Sequence, residues 1–219
     1  AVELREGLDR AGVDRASAPV LAWITTPGSD FAGAVRAGID LSVSWTWVLD
    51  AIIAAARAVG RPARVHVKID TGMSRAGSTL ADLPSLASAL RMAADDGLVD
   101  IVGAWSHMSR ADDPSQEGNA STANHVRIFE EGLAILADAG ITPRIRHISA
   151  TSGILWHPEA HYDMVRVGIG LYGLSPDPAV ATADELGLIP TLELRAPLTC
   201  VKVIEEGTPA SYGGTWVAP

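Results

Sequence analysis

The chain of 219 residues is long enough for one large domain, or for one domain and part of a second. It is 47% hydrophobic and 20% charged, the balance of a globular protein with a sizeable core. Its net charge of −9 argues against a nucleic-acid or anionic-membrane surface, and its one cysteine, Cys200, excludes an intrachain disulfide and fits a reducing compartment.

The N-terminal stretch "AVELREGLDRAG" is amphipathic and charged, and has no signal-peptide core. It starts without Met and reads as a helix entered part-way, so the expectation is an internal fragment. Ala18–Trp23 reads as a strand, "FAGAVRAG" as a short helix stopping at Gly38, and Ile39–Ser44 as a second strand. "TWVLDAIIAAARAVG" places Val48, Ile52, Ala56 and Val59 at a helical period, with Gly60 as C-cap. Its apolar run Ala51–Ala56 is far too short to span a bilayer. "RVHVKID" is a third strand, "ADLPSLASALRMAADDG" a helix with an early proline, and "VDIVGAWSH" a fourth strand. "STANHVRIFEEGLAILADAG" carries Val126, Phe129, Leu133 and Leu136 on one face. "PRIRHIS" and "YDMVRVGIGLYG" read as a fifth and a sixth strand. Cys200, within "APLTCVKVI", reads as a small buried hydrophobe.

Repeated strand–helix–strand units predict an α/β fold with a parallel sheet. Either a doubly wound sheet or part of a (β/α)8 barrel suits six strands; a full barrel takes roughly 250 residues. Neither GxGxxG nor GxxxxGK[ST] occurs, which removes the usual support for nucleotide binding. Polar residues cluster where strands end: Lys68, Asp70 and Arg75; His107; His147, Ser149, Thr151 and Ser152; Arg166. In a (β/α)8 barrel those ends form the active site, so four clusters at equivalent positions favour one shared site. After Ser175 the pattern becomes loop-like and proline-rich. The expected division is a barrel domain over 1–190 and the start of a β-rich domain over 191–219.

"KIDTGMSRAG" matches K-[VI]-D-T-G-M-x-R-x-G at every fixed position, and here the chain resembles the alanine racemase family, the barrel-type pyridoxal-phosphate (PLP) enzymes. "SHMSRADDP", "RHISATSG", "DMVRVGIGLYGLSP" and "SYGGTW" resemble further family blocks in the same order. The resemblance implies a partial TIM barrel, about strands 3–8, followed by the start of the C-terminal β domain. The K-A-[DN]-A-Y-G-H-G block, whose lysine holds PLP covalently, does not occur; the only lysines are Lys68 and Lys202. The 219 residues alone are therefore expected to be inactive.

The resemblance also implies roles. Tyr212 matches the base that acts from the second subunit, Arg166 the arginine facing the pyridine nitrogen, and His147 the histidine orienting it. Arg75 matches the arginine that donates to the cofactor's phenolic oxygen. Lys68 matches a lysine that is carbamylated in many members and positions that arginine, set against an ordinary pairing of Lys68 with Asp70. His107 matches a histidine near the cofactor ring. Phosphate binding falls on Thr151 or Ser152 and on the amides of Gly168 and Ile169, with Thr151 where the family usually has serine. The implied activity is interconversion of L- and D-alanine for peptidoglycan by a cytoplasmic homodimer, with no metal, nucleic acid or membrane. A racemase of another small amino acid such as serine, or a non-catalytic barrel binding PLP or another anion, stands as the alternative.

Overall fold

The computed structural model describes all 219 residues and divides into two compact units, Ala1–Ile189 and Pro190–Pro219. The first unit opens with α1 (Val2–Arg10), then β1 (Leu21–Ala22), α2 (Phe31–Ala37), β2 (Asp40–Val43), α3 (Thr46–Val59) and β3 (Ala63–Lys68). It continues with α4 (Leu83–Asp95), β4 (Val99–Trp105), α5 (Gln116–Asp138), β5 (Ile145–His147) and α6 (Thr151–Trp156).

All five strands of the main sheet are parallel and lie in chain order, β1-β2-β3-β4-β5. A doubly wound sheet reverses order at a switch point. This one never does, so the winding is that of a barrel. Helix stops follow the glycines: Gly38 and Gly60 cap α2 and α3 with left-handed backbone. Asp30 and Ser115 cap the starts of α2 and α5 by accepting from the amides of Gly33 and Gly118.

The helices bury their apolar faces against one side of the sheet. Val43, Val65, Val67, Ile52, Leu90 and Phe129 are among the buried residues of that core. The other face follows from register. Ser42 pairs with His66, His66 with Gly103, Lys68 with Trp105, and Trp105 with His147, and directly opposed residues share a face. That interior face therefore carries Asp40, Ser42, Arg64, His66, Lys68, Trp105 and His147, a polar and aromatic set inside an otherwise apolar parallel sheet.

Two expected strands differ. The first shrinks to Leu21–Ala22, and ahead of it the buried Arg5 guanidinium takes the Ala18 carbonyl at 2.8 Å. The sixth does not form. Residues 163–166 make isolated bonds, Met164 N–H to the Arg146 carbonyl and Arg166 N–H to the Ser149 carbonyl, and Tyr162 sits at φ 50°. The chain then turns into a 3₁₀ segment, Ile169–Tyr172.

The second unit holds a two-stranded antiparallel ribbon, β6 (Pro209–Ala210) with β7 (Trp216–Val217). Tyr212 lies in the 3₁₀ turn between them. Cys200 is exposed rather than buried, because its segment lies outside any strand and packs into no core.

Candidate functional site

The interior face of β3 leads to the site. Val65 and Val67 turn to the helices, so Arg64, His66 and Lys68 turn inward. Lys68 is buried, with Nζ 4.3 Å from the Trp105 ring centroid. Burial and then the Arg75 and Arg166 charges pull its amine down to about 8, against the opposing pull of Asp70.

Past β3 the chain doubles back: Asp70 N–H donates to the Ser78 carbonyl and Ser78 N–H to the Lys68 carbonyl. Asp70 Oδ1 accepts from the amides of Gly72 and Ser74 at 3.0 and 3.1 Å. That carboxylate shapes the loop carrying Arg75 and forms no ion pair with Lys68. Gly77 closes the loop at φ 124°, where a Cβ would stand 2.6 Å from the Asp70 nitrogen. Only glycine fits there. Arg75 itself is exposed.

Arg166 is the centre of the site. It is 9% exposed and donates from Nη1 to His147 Nδ1 at 2.8 Å. Its Nη2 lies at 2.7 Å from the Ser106 carbonyl, 3.1 Å from the Ile148 carbonyl and 3.1 Å from His107 Nδ1. The guanidinium also rests against the rings of Trp105 and Trp23. Burial first, and Arg75 second, lower it to about 10, so it remains a cation. Its Nε is buried without a partner.

The two histidines against this cation are neutral. Burial, then Arg166, brings His147 down to about 2, with His66 adding to the effect. Burial, then Arg166, Arg75 and Lys68, brings His107 down to about 4. Because an arginine only donates, Nδ1 of each ring accepts and the proton sits on Nε2.

Thr151 opens α6 and is buried. Its Oγ1 accepts from the amides of Gly168 and Gly170 at 3.0 and 3.3 Å. Both lone pairs are filled, so the hydroxyl proton is left to donate. Ser152 is half-buried beside it, and Gly168 and Ile169 begin the 3₁₀ segment. Lys68, Arg75, His107, His147, Thr151, Ser152, Arg166, Gly168 and Ile169 all belong to the first unit. Tyr212 belongs to the second, where its side chain is fully exposed.

Several residues on the same face escape a reading of strand ends. His66 Nδ1 lies 3.0 Å from His147 Nε2, and His66 Nε2 lies 3.2 Å from Asp40 Oδ2. Trp105 stacks between Trp23 and His147, and its Nε1 donates to Ser42 Oγ at 2.9 Å. His125 reaches from α5 to Thr71 Oγ1 at 2.7 Å and accepts from the Ser109 amide at 3.2 Å, tying the loops after β3 and β4 together. Period two, counted back from Lys68, points to His66; nothing local in sequence points to His125.

The arrangement offers two guanidinium groups, an amine of lowered basicity and a hydroxyl donor, with neutral histidines between them. It suits an anionic ligand with several hydrogen-bond acceptor atoms. The chain is similar to known proteins over nearly its whole length. A family profile described as "Alanine racemase, N-terminal domain" matches residues 1–176. Curated relatives include the alanine racemases of Salinispora tropica, 42% identical over 95% of this chain and 54% of the relative, and of Beutenbergia cavernae, 44% identical over 94% and 53%. Among solved structures, alanine racemase from D-cycloserine producing Streptomyces lavendulae superposes with a TM-score of 0.90 at 39% identity, covering 99% of this chain and 55% of that one. The chain thus spans about half the length of the relatives it matches.

Proposed function

Since the chain belongs to the alanine racemase family, we propose that the complete gene product interconverts L- and D-alanine with PLP as cofactor, acting as a homodimer in the cytoplasm. No helix is long and apolar enough to cross a membrane, and no cluster of metal-ligating side chains is present. The observation that carries the reading is the buried Arg166 cation, whose Nε lacks a partner while neutral histidines and the Ser106 and Ile148 carbonyls fix the rest of its guanidinium.

The residues present fit the cofactor. Arg166 presents only N–H donors, so a pyridine nitrogen against it stays an acceptor and stays unprotonated. Arg75, exposed on its loop, suits the phenolic oxygen. The free proton of Thr151, with Ser152 and the backbone around Gly168 and Ile169, suits the phosphate. When bound, PLP supplies the sink for the electrons left as the α-proton departs. An unprotonated ring is a weaker sink, and this favours racemisation over side reactions.

Racemisation needs one base on each face of the α-carbon. Tyr212 takes one face in this reading, contributed across the homodimer, and holds or returns the proton at its phenolic oxygen. The other face belongs to a cofactor-holding lysine in a block unlike the surroundings of Lys68 or Lys202. Lys68, with an amine near 8, has the neutral fraction that carbamylation requires; the carbamate turns a repulsive neighbour of Arg75 into an attractive one.

The complete gene product, incubated with PLP and L-alanine in deuterium oxide, is expected to yield D-alanine carrying deuterium at the α-carbon. Exchange without D-alanine, or neither, overturns the reading.

A further inference from the structure

Behind Arg166 and His147 the line of groups continues into residues that the proposed chemistry leaves unused, His66 and Asp40. Arg166 Nη1 lies 2.8 Å from His147 Nδ1, His147 Nε2 lies 3.0 Å from His66 Nδ1, and His66 Nε2 lies 3.2 Å from Asp40 Oδ2. His147 is 0% exposed, His66 2% and Asp40 3%. The line crosses the sheet from β5 through β3 to β2. Beyond it, Arg64 clamps Asp40 from Nε at 2.6 Å and Nη2 at 3.1 Å.

Only one arrangement of protons satisfies every contact with both rings neutral. Arginine has no acceptor, so His147 Nδ1 must be the lone-pair nitrogen and Nε2 must carry hydrogen. His66 Nδ1 must then accept that hydrogen, and its own proton sits on Nε2. An ionised carboxylate only accepts, and Asp40 completes the line. Burial works against ionisation of Asp40, but hydrogen bonds from His66 and Arg64 outweigh it and hold the carboxyl below its ordinary value. The result is a one-way file of hydrogen bonds from a cation to an anion, with no alternative direction.

Two independent features keep the file in place. Trp105 lies parallel to His147, with ring planes 5° apart and centroids 5.7 Å apart. Gly103, paired with His66 across β3 and β4, leaves room for that ring: a Cβ there would come within 2.7 Å of His66 Cε1 and 2.8 Å of the Ile145 carbonyl.

We propose that His66 and Asp40 are positioning residues of the Arg166 centre: they lock His147 in the Nε2–H tautomer, so that its Nδ1 lone pair always faces the guanidinium. The catalytic consequence rests on the racemase reading; the tautomer lock does not. Without the lock, a His147 that flips to Nδ1–H points a hydrogen at a hydrogen of Arg166. The guanidinium then loses its Nη1 anchor and with it a fixed aim at a ring nitrogen.

The test uses 15N-histidine NMR on the complete gene product, without cofactor or substrate. Wild type is expected to show His147 with a lone-pair Nδ1 and a protonated Nε2. In Asp40→Ala and His66→Leu the His147 Nδ1 resonance should shift towards the protonated position as both tautomers become populated. His66→Gln keeps an acceptor for His147 and a donor for Asp40, so it should retain the wild-type signature. A His147 spectrum unchanged in both Asp40→Ala and His66→Leu overturns the proposal, as does a loss in His66→Gln equal to that in His66→Leu. Product analysis then separates the two readings. If the complete gene product racemises alanine, Asp40→Ala should raise transamination relative to racemisation and lower kcat with little change in KM. If it does not racemise, the NMR result still decides the lock.

Discussion

Lys68 shows how far one side chain departs from its free-solution chemistry. Its amine is buried with Nζ over the Trp105 ring, and burial, then the Arg75 and Arg166 charges, disfavour its charged form. Acylation with limiting acetic anhydride, read by peptide mass spectrometry, should give Lys68 a half-maximal reactivity near pH 8. A midpoint at the ordinary lysine value, about 10.4, would count against the burial argument. Most of the candidate residues stood out in the sequence because they lie in or beside the family-like blocks "KIDTGMSRAG", "SHMSRADDP", "RHISATSG" and "DMVRVGIGLYG", the first three of which follow or end strands, where a barrel puts its site. His66 was not, although "VHVK" sets it two residues before Lys68 on the same face. Its meaning depends on His147, which is 81 residues away in sequence and 3.0 Å away in space. Asp70 illustrates the opposite lesson. Alternation aims it at Lys68, yet the loop amides of Gly72 and Ser74 claim its carboxylate.

Among the elements, the return after β3 is the one whose geometry the site most depends on. Lys68, Asp70 and Arg75 all hang on it, and Gly77 lets the chain pass close to the Asp70 backbone at positive φ. Gly77→Ala adds a Cβ at 2.6 Å from a backbone nitrogen, which no side-chain rotation relieves. It should cost about 1–3 kcal/mol in urea unfolding and weaken PLP binding with it; an unchanged midpoint would show that the loop relaxes freely. Helices α2, α3, α4 and α5 were readable from period and caps, since each carries a glycine stop, a polar N-cap or a clear apolar stripe. The sixth strand was not. "MVRVGI" alternates as a strand should, but Tyr162 at φ 50° and the bend at Gly168 leave only isolated bonds to the β5 side. Residue preference cannot form a ladder where the backbone does not lie alongside its neighbour. The second unit gave a similar outcome: its apolar, β-prone segment from Leu192 to Ile204 contains no strand.

At the scale of the whole molecule, two neutral histidines, His147 buried and His107 half-buried, make stability fall with acid. His147 and His107 have values depressed to about 2 and about 4 from an ordinary 6.5. Below 6.5 the unfolded chain takes up protons that the folded chain refuses, so the stabilisation is complete above 6.5 and is lost as pH falls towards 4 and then 2. Each histidine contributes a slope approaching about 1.4 kcal/mol per pH unit in that window. Denaturant midpoints between about pH 7 and about pH 5 should therefore fall for wild type and fall less for His107→Gln. Equal slopes would mean that His107 titrates normally in the folded state.

The cationic mouth around Arg75 and Arg166 belongs to a molecule with a net charge of −9. The net charge repels an anion at long range, whereas the two guanidinium groups attract it at close range. Physiological salt screens charges beyond about 8 Å and leaves close contacts nearly intact. If the proposed cofactor site is right, moderate salt should weaken the distant repulsion before the local attraction, so the PLP association rate measured by stopped flow is expected to rise with ionic strength before it falls; a rate that only falls would count against this.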